Sequence, residues 1–360
     1  MNTGLEDVVA AQTVLSDVDG ANGRLIVRGV SLDDLVATSR YEDVLALLFA
    51  GFFPLPADIR PALGAARAKV FAHVASADAA LIALPPVDAM RALLARLSDG
   101  DDLDSALCLV AAPAVFIPAM LRRRQGLAAI APDATRSHAA DTLAMLIGAA
   151  PTEQQAAALD RYLVTVADHG LNASTFAARV VASTKAGLTS SVLAALSALK
   201  GPLHGGAPGP VLDMLDAAGS PEAAPAWIAG ELARGERLMG FGHRIYRVRD
   251  PRADALKAAV RLLASAGAID PARLALAEAL EGTALAQLKA KKPDRPLDTN
   301  VEFYTALLLE ALGFPREAFT GVFAMGRVGG WIAHAREQAE TGRLIRPLSV
   351  YVGPQPKAAA

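Results

Sequence analysis

The 360-residue sequence contains one cysteine, Cys108, so an intrachain disulfide is excluded. Because Cys108 stands inside an apolar run, we interpret it as a core residue, and cysteine scarcity weakly favours a reducing compartment. The N-terminus carries Glu6 and Asp7 and lacks a basic stretch followed by an apolar one, so no signal peptide is expected. We therefore expect a cytoplasmic protein.

An excess of charge of one sign is also lacking. The chain has 35 Lys and Arg against 37 Asp and Glu, a formal net charge of -2. This balance predicts no general attraction to nucleic acid or to an anionic membrane, so an anionic ligand must meet a local cluster of positive charge. The longest uncharged stretch, Ser105 to Leu121, is shorter than a bilayer requires and contains Pro113 and Pro118. It predicts a kinked, buried helix and no membrane association.

The signature motifs of several enzyme classes are missing. No pair of histidines has HExxH spacing and no cysteine lies nearby, so no metal site is expected. No G-x-S-x-G elbow of a serine hydrolase occurs. A Walker A loop and a Rossmann glycine motif after a strand are absent too.

Helical periodicity is abundant. Alanine and leucine recur at helical spacing in long segments, for example Ser31 to Phe49, Pro61 to Ala75 and Glu153 to Ala167. Ser31, Asp101 and Thr152 stand where helix caps are useful. Alternating β-type runs are scarce, and we expect at most short strands near Gly23 to Arg28 and Ser349 to Val352. The fold class is predicted to be all-α.

Glycine and proline cluster at positions that predict hinges. The main clusters are Gly201 to Pro210 and Gly313 to Pro315, with a further break at Pro293 to Pro296. The first two bracket a segment of roughly a hundred residues, a typical domain size. We predict a large helical domain formed by residues 1–206 and 315–360, interrupted by a small domain at 207–314.

Three of the six histidines have unusual surroundings. His204 lies in Gly-Pro-Leu-His-Gly-Gly after an apolar helical run, and His243 lies in Gly-Phe-Gly-His-Arg. Each glycine can simply mark a tight turn that the histidine caps. Because a histidine beside glycine occurs twice, the pattern also suits a site where the backbone comes close to a ligand and the imidazole contacts that ligand. His169 ends another apolar run, where a structural hydrogen-bonding role is the alternative, and we interpret His73, His138 and His334 as surface or packing residues.

Taken in order, these and other motifs resemble the citrate synthase family over essentially the whole chain. The motifs are Gly23 to Gly29, Asn172 to Phe176, the two glycine-flanked histidines, Asp250-Pro251-Arg252, Asn300 to Tyr304, Arg327 with Gly330 to His334, and Arg346-Pro347. The resemblance implies a two-domain, all-helical homodimer with its active site in the cleft, which closes on oxaloacetate.

The resemblance also implies residue roles. His204 would hydrogen-bond the thioester oxygen as it becomes an enol oxygen, His243 would polarise and protonate the ketone of oxaloacetate, and Glu302 would be the base. His169, Arg252 and Arg327 would bind oxaloacetate, joined by Arg346 from the partner subunit. Guanidinium groups suit a dicarboxylate because they form paired charge-assisted hydrogen bonds. Singly, each arginine can equally form an ordinary surface ion pair.

One position departs from the family pattern in a chemically important way. The usual base is an aspartate, and here Glu302 places the carboxylate one methylene further out. A misplacement of about 1 Å can cost on the order of a hundredfold in rate. We expect that the surrounding backbone is shifted to accommodate the longer side chain of Glu302. One alternative is that activity is low. Another is that Glu302 is not the base but an ordinary acid stabilised at a helix N-terminus.

For coenzyme A, the basic residues Lys291, Lys292 and Arg295 precede the Glu302 motif, and Arg244 follows His243. These side chains can attract nucleotide phosphates or simply solvate a loop. Acetyl-CoA is implied as a co-substrate, with no permanently bound cofactor. A 2-methylcitrate synthase that uses propionyl-CoA is one alternative, and a catalytically retired ligand-binding relative is another.

Overall fold

The computed structural model describes residues 5, 8–205, 208–243, 245, 246, 248, 250–293 and 297–355. Their α-helices, in chain order, are α1 Leu32–Thr38, α2 Tyr41–Phe49, α3 Arg60–Phe71, α4 Ala79–Ala83, α5 Pro86–Leu94, α6 Leu103–Arg124, α7 His138–Ile147, α8 Glu153–Val166, α9 Ala173–Ala182, α10 Leu188–Leu199, α11 Pro208–Ala218, α12 Ala224–Arg234, α13 Pro251–Ser265, α14 Pro271–Lys291, α15 Val301–Ala311 and α16 Phe319–Thr341. Short 3-10 helices occupy Ala72–Ser76 and Arg316–Ala318. The predicted helical fold class is confirmed.

A small antiparallel sheet precedes the helices. Its strands are β1 Ser16–Asp19, β2 Arg24–Val27 and β3 Val30–Ser31, in the order β1-β2-β3. Ser16 pairs with Val27 and Asp19 with Arg24, so β1 and β2 form a hairpin with its turn at residues 20–23. The predicted strand near Gly23 to Arg28 is confirmed.

Helices α6 and α16 form the centre of the main helical layer. Helix α6 packs against α3, α5, α7 and α16, and α16 also contacts α2, α8, α9 and α10. The middle of α6 is buried on all sides and contains Pro113 and Pro118, as predicted. By length and composition α6 is the one described helix that is apolar enough to cross a membrane, but most of it lies inside this core, which is equally typical of a central core helix.

The remaining helices, α11 to α15, lie in the segment that we predict to be the small domain. Helix α12 packs on α14, and α11 packs on α15. Helix α13 contacts both α15 and α8. Residues at the start of α13 and α15 therefore come close to the end of α8, where His169 follows.

Some local predictions were wrong. The segment Ser31 to Phe49 is helical, as predicted, but it is divided into two helices because Ser39 and Arg40 have extended backbone and end α1 before α2 begins. Asp102 rather than Asp101 caps α6, whereas Ser31 and Thr152 do cap their helices. Residues Ser349 to Val352 form no strand, because no described neighbouring segment pairs with their exposed backbone.

Candidate active site

The first glycine-flanked histidine lies in a tight turn after α10. The His204 amide donates to the Gly201 carbonyl at 2.9 Å, and the Gly205 amide donates to the Leu199 carbonyl at 2.8 Å. A side chain at Gly205 would lie 2.5 Å from that carbonyl oxygen, so only glycine fits. The turn therefore fixes His204 at the end of the helix, as expected from the sequence.

A hydroxyl orients the imidazole of His204. Its Nε2 lies 2.8 Å from Ser174 Oγ, which also accepts the indole N–H of Trp331 at 3.2 Å. The Ser174 proton can serve His204 Nε2 or Asn172 Oδ1, also 2.8 Å away, and that amide oxygen already accepts two backbone amides as the cap of α9. When the hydroxyl donates to Nε2, Nδ1 of His204 carries the ring proton and can donate to a substrate oxygen.

The second histidine reaches the site through a short antiparallel bridge. Phe241 pairs with Thr299, and the Gly242 amide donates to the backbone carbonyl of Asp298 at 2.8 Å. The Asn300 side chain donates to the Gly242 carbonyl at 2.7 Å. Gly240 and Gly242 both have positive φ, and side chains there would collide with Phe303 and Leu297. The bridge explains why the motifs around 243 and 302, distant in sequence, lie side by side.

The hydrogen bonds of His243 specify its tautomer. The backbone amides of Ile245 and Tyr246 both donate to Nδ1, each at 3.1 Å. A nitrogen that accepts amide protons carries none itself, so in the neutral ring the proton is on Nε2. Burial and the charge of Arg252 lower the pKa of His243 to about 4, so the ring is neutral near pH 7. Nε2 lies 3.0 Å from Nη2 of Arg252, where two donors meet without an acceptor.

Arg252 links the loop that carries His243 to the loop that carries His169. Its guanidinium forms a bidentate pair with Asp250 at 3.0 and 2.9 Å, and Nη1 lies 3.3 Å from Nδ1 of His169. Asp250 caps α13 and accepts the Val301 amide at the start of α15, so it joins both helix N-termini. Burial by itself would lower the pKa of Arg252, but Asp250 raises it above the usual range. The guanidinium is therefore a fixed cation.

Arg327 is the most unusual group of the site. It lies in the middle of α16 with no exposed surface, and its Nε donates to the Val166 carbonyl at 2.6 Å. Its other nitrogens lie 2.6 and 3.2 Å from His169, and it forms no ion pair with a carboxylate of the described residues. Burial lowers the pKa of Arg327 to about 10. A buried guanidinium without a carboxylate partner is costly, which suits an anion supplied by a ligand.

The carboxylate of Glu302 points into the same group of residues. Glu302 lies in the first turn of α15, and its backbone amide donates a hydrogen bond at 3.0 Å to the side chain of the cap residue Asn300. This position is the one expected of an acid at a helix N-terminus, which was one of the alternatives for Glu302. No described side chain donates a hydrogen bond to its carboxylate. Burial raises the pKa of Glu302 to about 7, against the charge of Arg252, which lowers it. A carboxyl group with that pKa is a far better base at neutral pH than an ordinary glutamate.

His169 and its neighbour Asp168 connect the site to a buried polar network. Asp168 accepts hydrogen bonds from Ser16 Oγ at 2.5 Å and from His334 Nε2 at 3.2 Å, and Arg179 contacts the other nitrogen of His334. Burial would raise the pKa of Asp168, but the contact with His334 lowers it. His334, which we interpreted as a surface or packing residue, is thus a fully buried member of this network. His138 is likewise buried, with Arg67 near its ring.

The structure brings most of the predicted site residues together. Contacts or short-range charge interactions join His169, His204, His243, Arg252, Arg327 and Glu302. The network residues Ser174, Trp331, Asp250 and Asp168 were not singled out from the sequence, although each stood inside or beside a recognised motif. Only their hydrogen bonds reveal what they do.

The other predicted residues lie elsewhere. Arg346 is exposed in the extended segment after α16 and forms no described contact with the group, so its reach across a dimer stays a prediction. Lys291 and Lys292 line a cavity of about 690 Å³ that opens beside His243 and is walled by Leu238, Phe241 and Leu297. Arg244 and Arg295 fall outside the described residues.

Comparison with known proteins points in one direction. The family model described as citrate synthase, C-terminal domain, matches residues 4–348. A citrate synthase of Haloferax volcanii is 37% identical over 98% of this chain and 96% of that protein. A 2-methylcitrate synthase of Mycobacterium tuberculosis is 35% identical over 97% of this chain and 90% of that protein. The solved citrate synthase of Thermoplasma acidophilum, in ternary complex with carboxymethyl coenzyme A and oxaloacetate, has a TM-score of 0.86 at 30% identity, and the match covers 100% of this chain and 98% of that chain.

Proposed function

Because the chain belongs to the citrate synthase family, we propose that it condenses acetyl-CoA with oxaloacetate and hydrolyses the resulting thioester to citrate and CoA. The observation that carries this proposal is the pair of buried guanidinium groups, Arg252 and Arg327, of which only Arg252 has a carboxylate partner in the described part of the chain. With His169 between them, they form a cationic recess in which Arg327 has no negatively charged hydrogen-bond partner among the described residues. A small dicarboxylate supplies that charge and the missing hydrogen-bond acceptors.

The neutral histidines act as proton donors to oxygen. Nε2–H of His243 faces the recess, where the ketone of oxaloacetate would accept it, and Arg252 beside it strengthens the same polarisation. Nδ1 of His204 would donate to the thioester oxygen while Ser174 holds Nε2. One positioned donor of this kind lowers a barrier by roughly 3 to 4 kcal/mol.

Glu302 is the proposed base. It removes a proton from the methyl group of acetyl-CoA as His204 protonates or stabilises the thioester oxygen, and the enol carbon then bonds to the ketone carbon of oxaloacetate. The ketone oxygen takes the proton from His243. Water finally cleaves the C–S bond of citryl-CoA, which releases citrate and the CoA thiol. Exclusion of bulk water before the C–C bond forms protects the first thioester.

The cavity beside His243 suits the coenzyme. Apolar walls at Leu238, Phe241 and Leu297 would contact the pantetheine arm, and Lys291 and Lys292 at its rim would attract phosphates. We extend the proposal to Arg244 and Arg295 as phosphate ligands. We also propose a cytoplasmic homodimer in which Arg346 of each chain binds the oxaloacetate carboxylate in the partner's site.

A 2-methylcitrate synthase is the second candidate, favoured by the relative of that name at 35% identity. The two reactions use the same groups, and the acyl chains differ by one methylene, which discriminates by only about 1 to 3 kcal/mol.

Initial rates of thiol release, measured with acetyl-CoA and with propionyl-CoA, test both functions. We expect oxaloacetate-dependent release with a higher kcat/KM for acetyl-CoA. A reversed ratio would favour 2-methylcitrate synthase. Binding of oxaloacetate without thiol release from any short acyl-CoA would refute both and indicate a ligand-binding relative.

A further inference from the structure

The turn of the β1–β2 hairpin lies against the loop that follows His243. A methyl group on Gly20 would lie 2.3 Å from the carbonyl oxygen of Ile245 and 2.8 Å from its Cγ2. Gly20 does not have a positive φ, so space alone excludes a side chain there. The two segments are distant in sequence and touch only because the chain folds back on itself.

The contacted loop carries the groups that specify the His243 tautomer. The Ile245 and Tyr246 amides are the two donors to Nδ1, each at 3.1 Å. The Gly20 contact is made by the carbonyl of Ile245, which belongs to the same short loop. If this backbone moved about 1 Å away from the imidazole, both hydrogen bonds would lengthen beyond a useful distance.

The same hairpin strand also braces the loop of His169. Ser16 Oγ donates to Asp168 at 2.5 Å, and a side chain at Gly170 would meet Val18 and Ser16 at 3.6 and 3.7 Å. The hairpin therefore contacts both histidine loops: β1 contacts the loop of His169, and Gly20 in the turn contacts the loop after His243.

We propose that the β1–β2 hairpin is a brace for the two histidine loops and that Gly20 is a positioning residue for His243. By close contact at Ile245, it keeps the two amides on Nδ1 and so presents Nε2–H to the substrate ketone. The proposal rests on the proposed function for its catalytic consequence, but the tautomer itself does not depend on turnover.

The first test compares Gly20→Ala with the control Gly282→Ala. Gly282 is exposed in α14, where an added methyl meets nothing within 4 Å, so the control makes the same chemical change without a collision. We expect Gly20→Ala to lower kcat by about 10- to 100-fold, with a smaller change in the KM for oxaloacetate, and Gly282→Ala to match the parent. A parental kcat in Gly20→Ala would overturn the proposal.

The second test observes the imidazole directly by NMR of 15N-histidine-labelled protein, with His243→Gln to assign the resonances. The parent should show His243 protonated on Nε2, and Gly20→Ala should show both tautomers. An unchanged tautomer in folded Gly20→Ala, or an Nδ1–H ring in the parent, would overturn the proposal. An inactive parent with the expected tautomers would refute the proposed function and leave the brace intact.

If Gly20→Ala does not fold, the variant Asp19→Ala provides the test of the positioning role. Asp19 accepts two hydrogen bonds from Asn22, at 3.1 and 2.8 Å, which hold the exposed turn that presents Gly20. Loosening this turn should mix the His243 tautomers and lower kcat a few-fold. Parental values of both would overturn the proposal.

Discussion

Replacing Arg327 by methionine should nearly abolish oxaloacetate binding without harming the unliganded protein. Arg327 has no exposed surface and no carboxylate partner among the described residues, whereas Arg252 forms a bidentate pair with Asp250. Methionine keeps much of the side-chain volume and removes the charge. The corresponding variant Arg252→Met is the matched comparison, because it removes the same group but leaves Asp250 buried and unpaired.

The magnitudes follow from these contacts. The pKa of Arg327 falls to about 10, a depression from the ordinary arginine range that corresponds to roughly 3 kcal/mol of unfavourable charge burial. The substitution removes this cost. It also leaves the Val166 carbonyl oxygen without its donor, which costs about 1 to 3 kcal/mol in the opposite direction. The free energy of unfolding should therefore change by less than about 2 kcal/mol, whereas Arg252→Met should lose about 3 to 5 kcal/mol.

Binding responds in a different way. Removing one member of a buried ligand–protein charge pair costs about 2 to 5 kcal/mol, or about 30-fold to several thousand-fold in Kd. Urea denaturation with and without oxaloacetate measures both quantities. Ligand at 100 times the parental Kd should stabilise the parent by about 2.7 kcal/mol and should stabilise Arg327→Met by less than about 0.9 kcal/mol at the same concentration.

Two results would refute this reasoning. One is Arg327→Met with a Kd for oxaloacetate within threefold of the parent. The other is a loss of stability as large as that of Arg252→Met, which would mean that Arg327 is a structural ion rather than a ligand-binding group.

Three further predictions concern the groups around the recess. Glu302→Gln should lower kcat at least a thousandfold and Glu302→Asp about a hundredfold, because the aspartate retracts the carboxylate by about 1 Å; parental thiol release by the amide variant would show that Glu302 is not the base. Burial raises the pKa of Glu302 to about 7, so kcat/KM for oxaloacetate should fall as the pH drops below about 7, where the free enzyme loses its base. Because that pKa lies above the unfolded value of about 4.3, the folded chain binds the proton more tightly than the unfolded chain, and stability is lost as the pH rises from about 4 to 7. The free energy of unfolding, measured by urea denaturation at several pH values, should depend less on pH in Glu302→Gln than in the parent. Identical pH profiles would contradict the raised pKa. Ser174→Ala removes the hydroxyl beside His204 Nε2 and should lower kcat about tenfold with little change in the KM for oxaloacetate; an effect on KM alone would contradict an orienting role.

The expected chemistry was predictable where it depends on residue type and local pattern. Histidines next to glycines, arginines and an acid after a capping asparagine are visible in the sequence, and the helical periodicity follows from side-chain burial on one face of each helix. Local signals failed where a helix ended without glycine or proline, as at Ser39, and where an apolar segment such as Ser349 to Val352 had no partner strand.

The sequence by itself determined the helical fold and the family, because these follow from periodicity and from the order of motifs along the chain. Only the tertiary structure decided which groups are buried without partners, because burial and hydrogen bonding depend on segments far apart in sequence. Arg327 without a carboxylate, the two amides on His243, Ser174 beside His204 and Gly20 against Ile245 are all contacts of this kind. They give ordinary residue types the charge, tautomer and pKa that the chemistry requires.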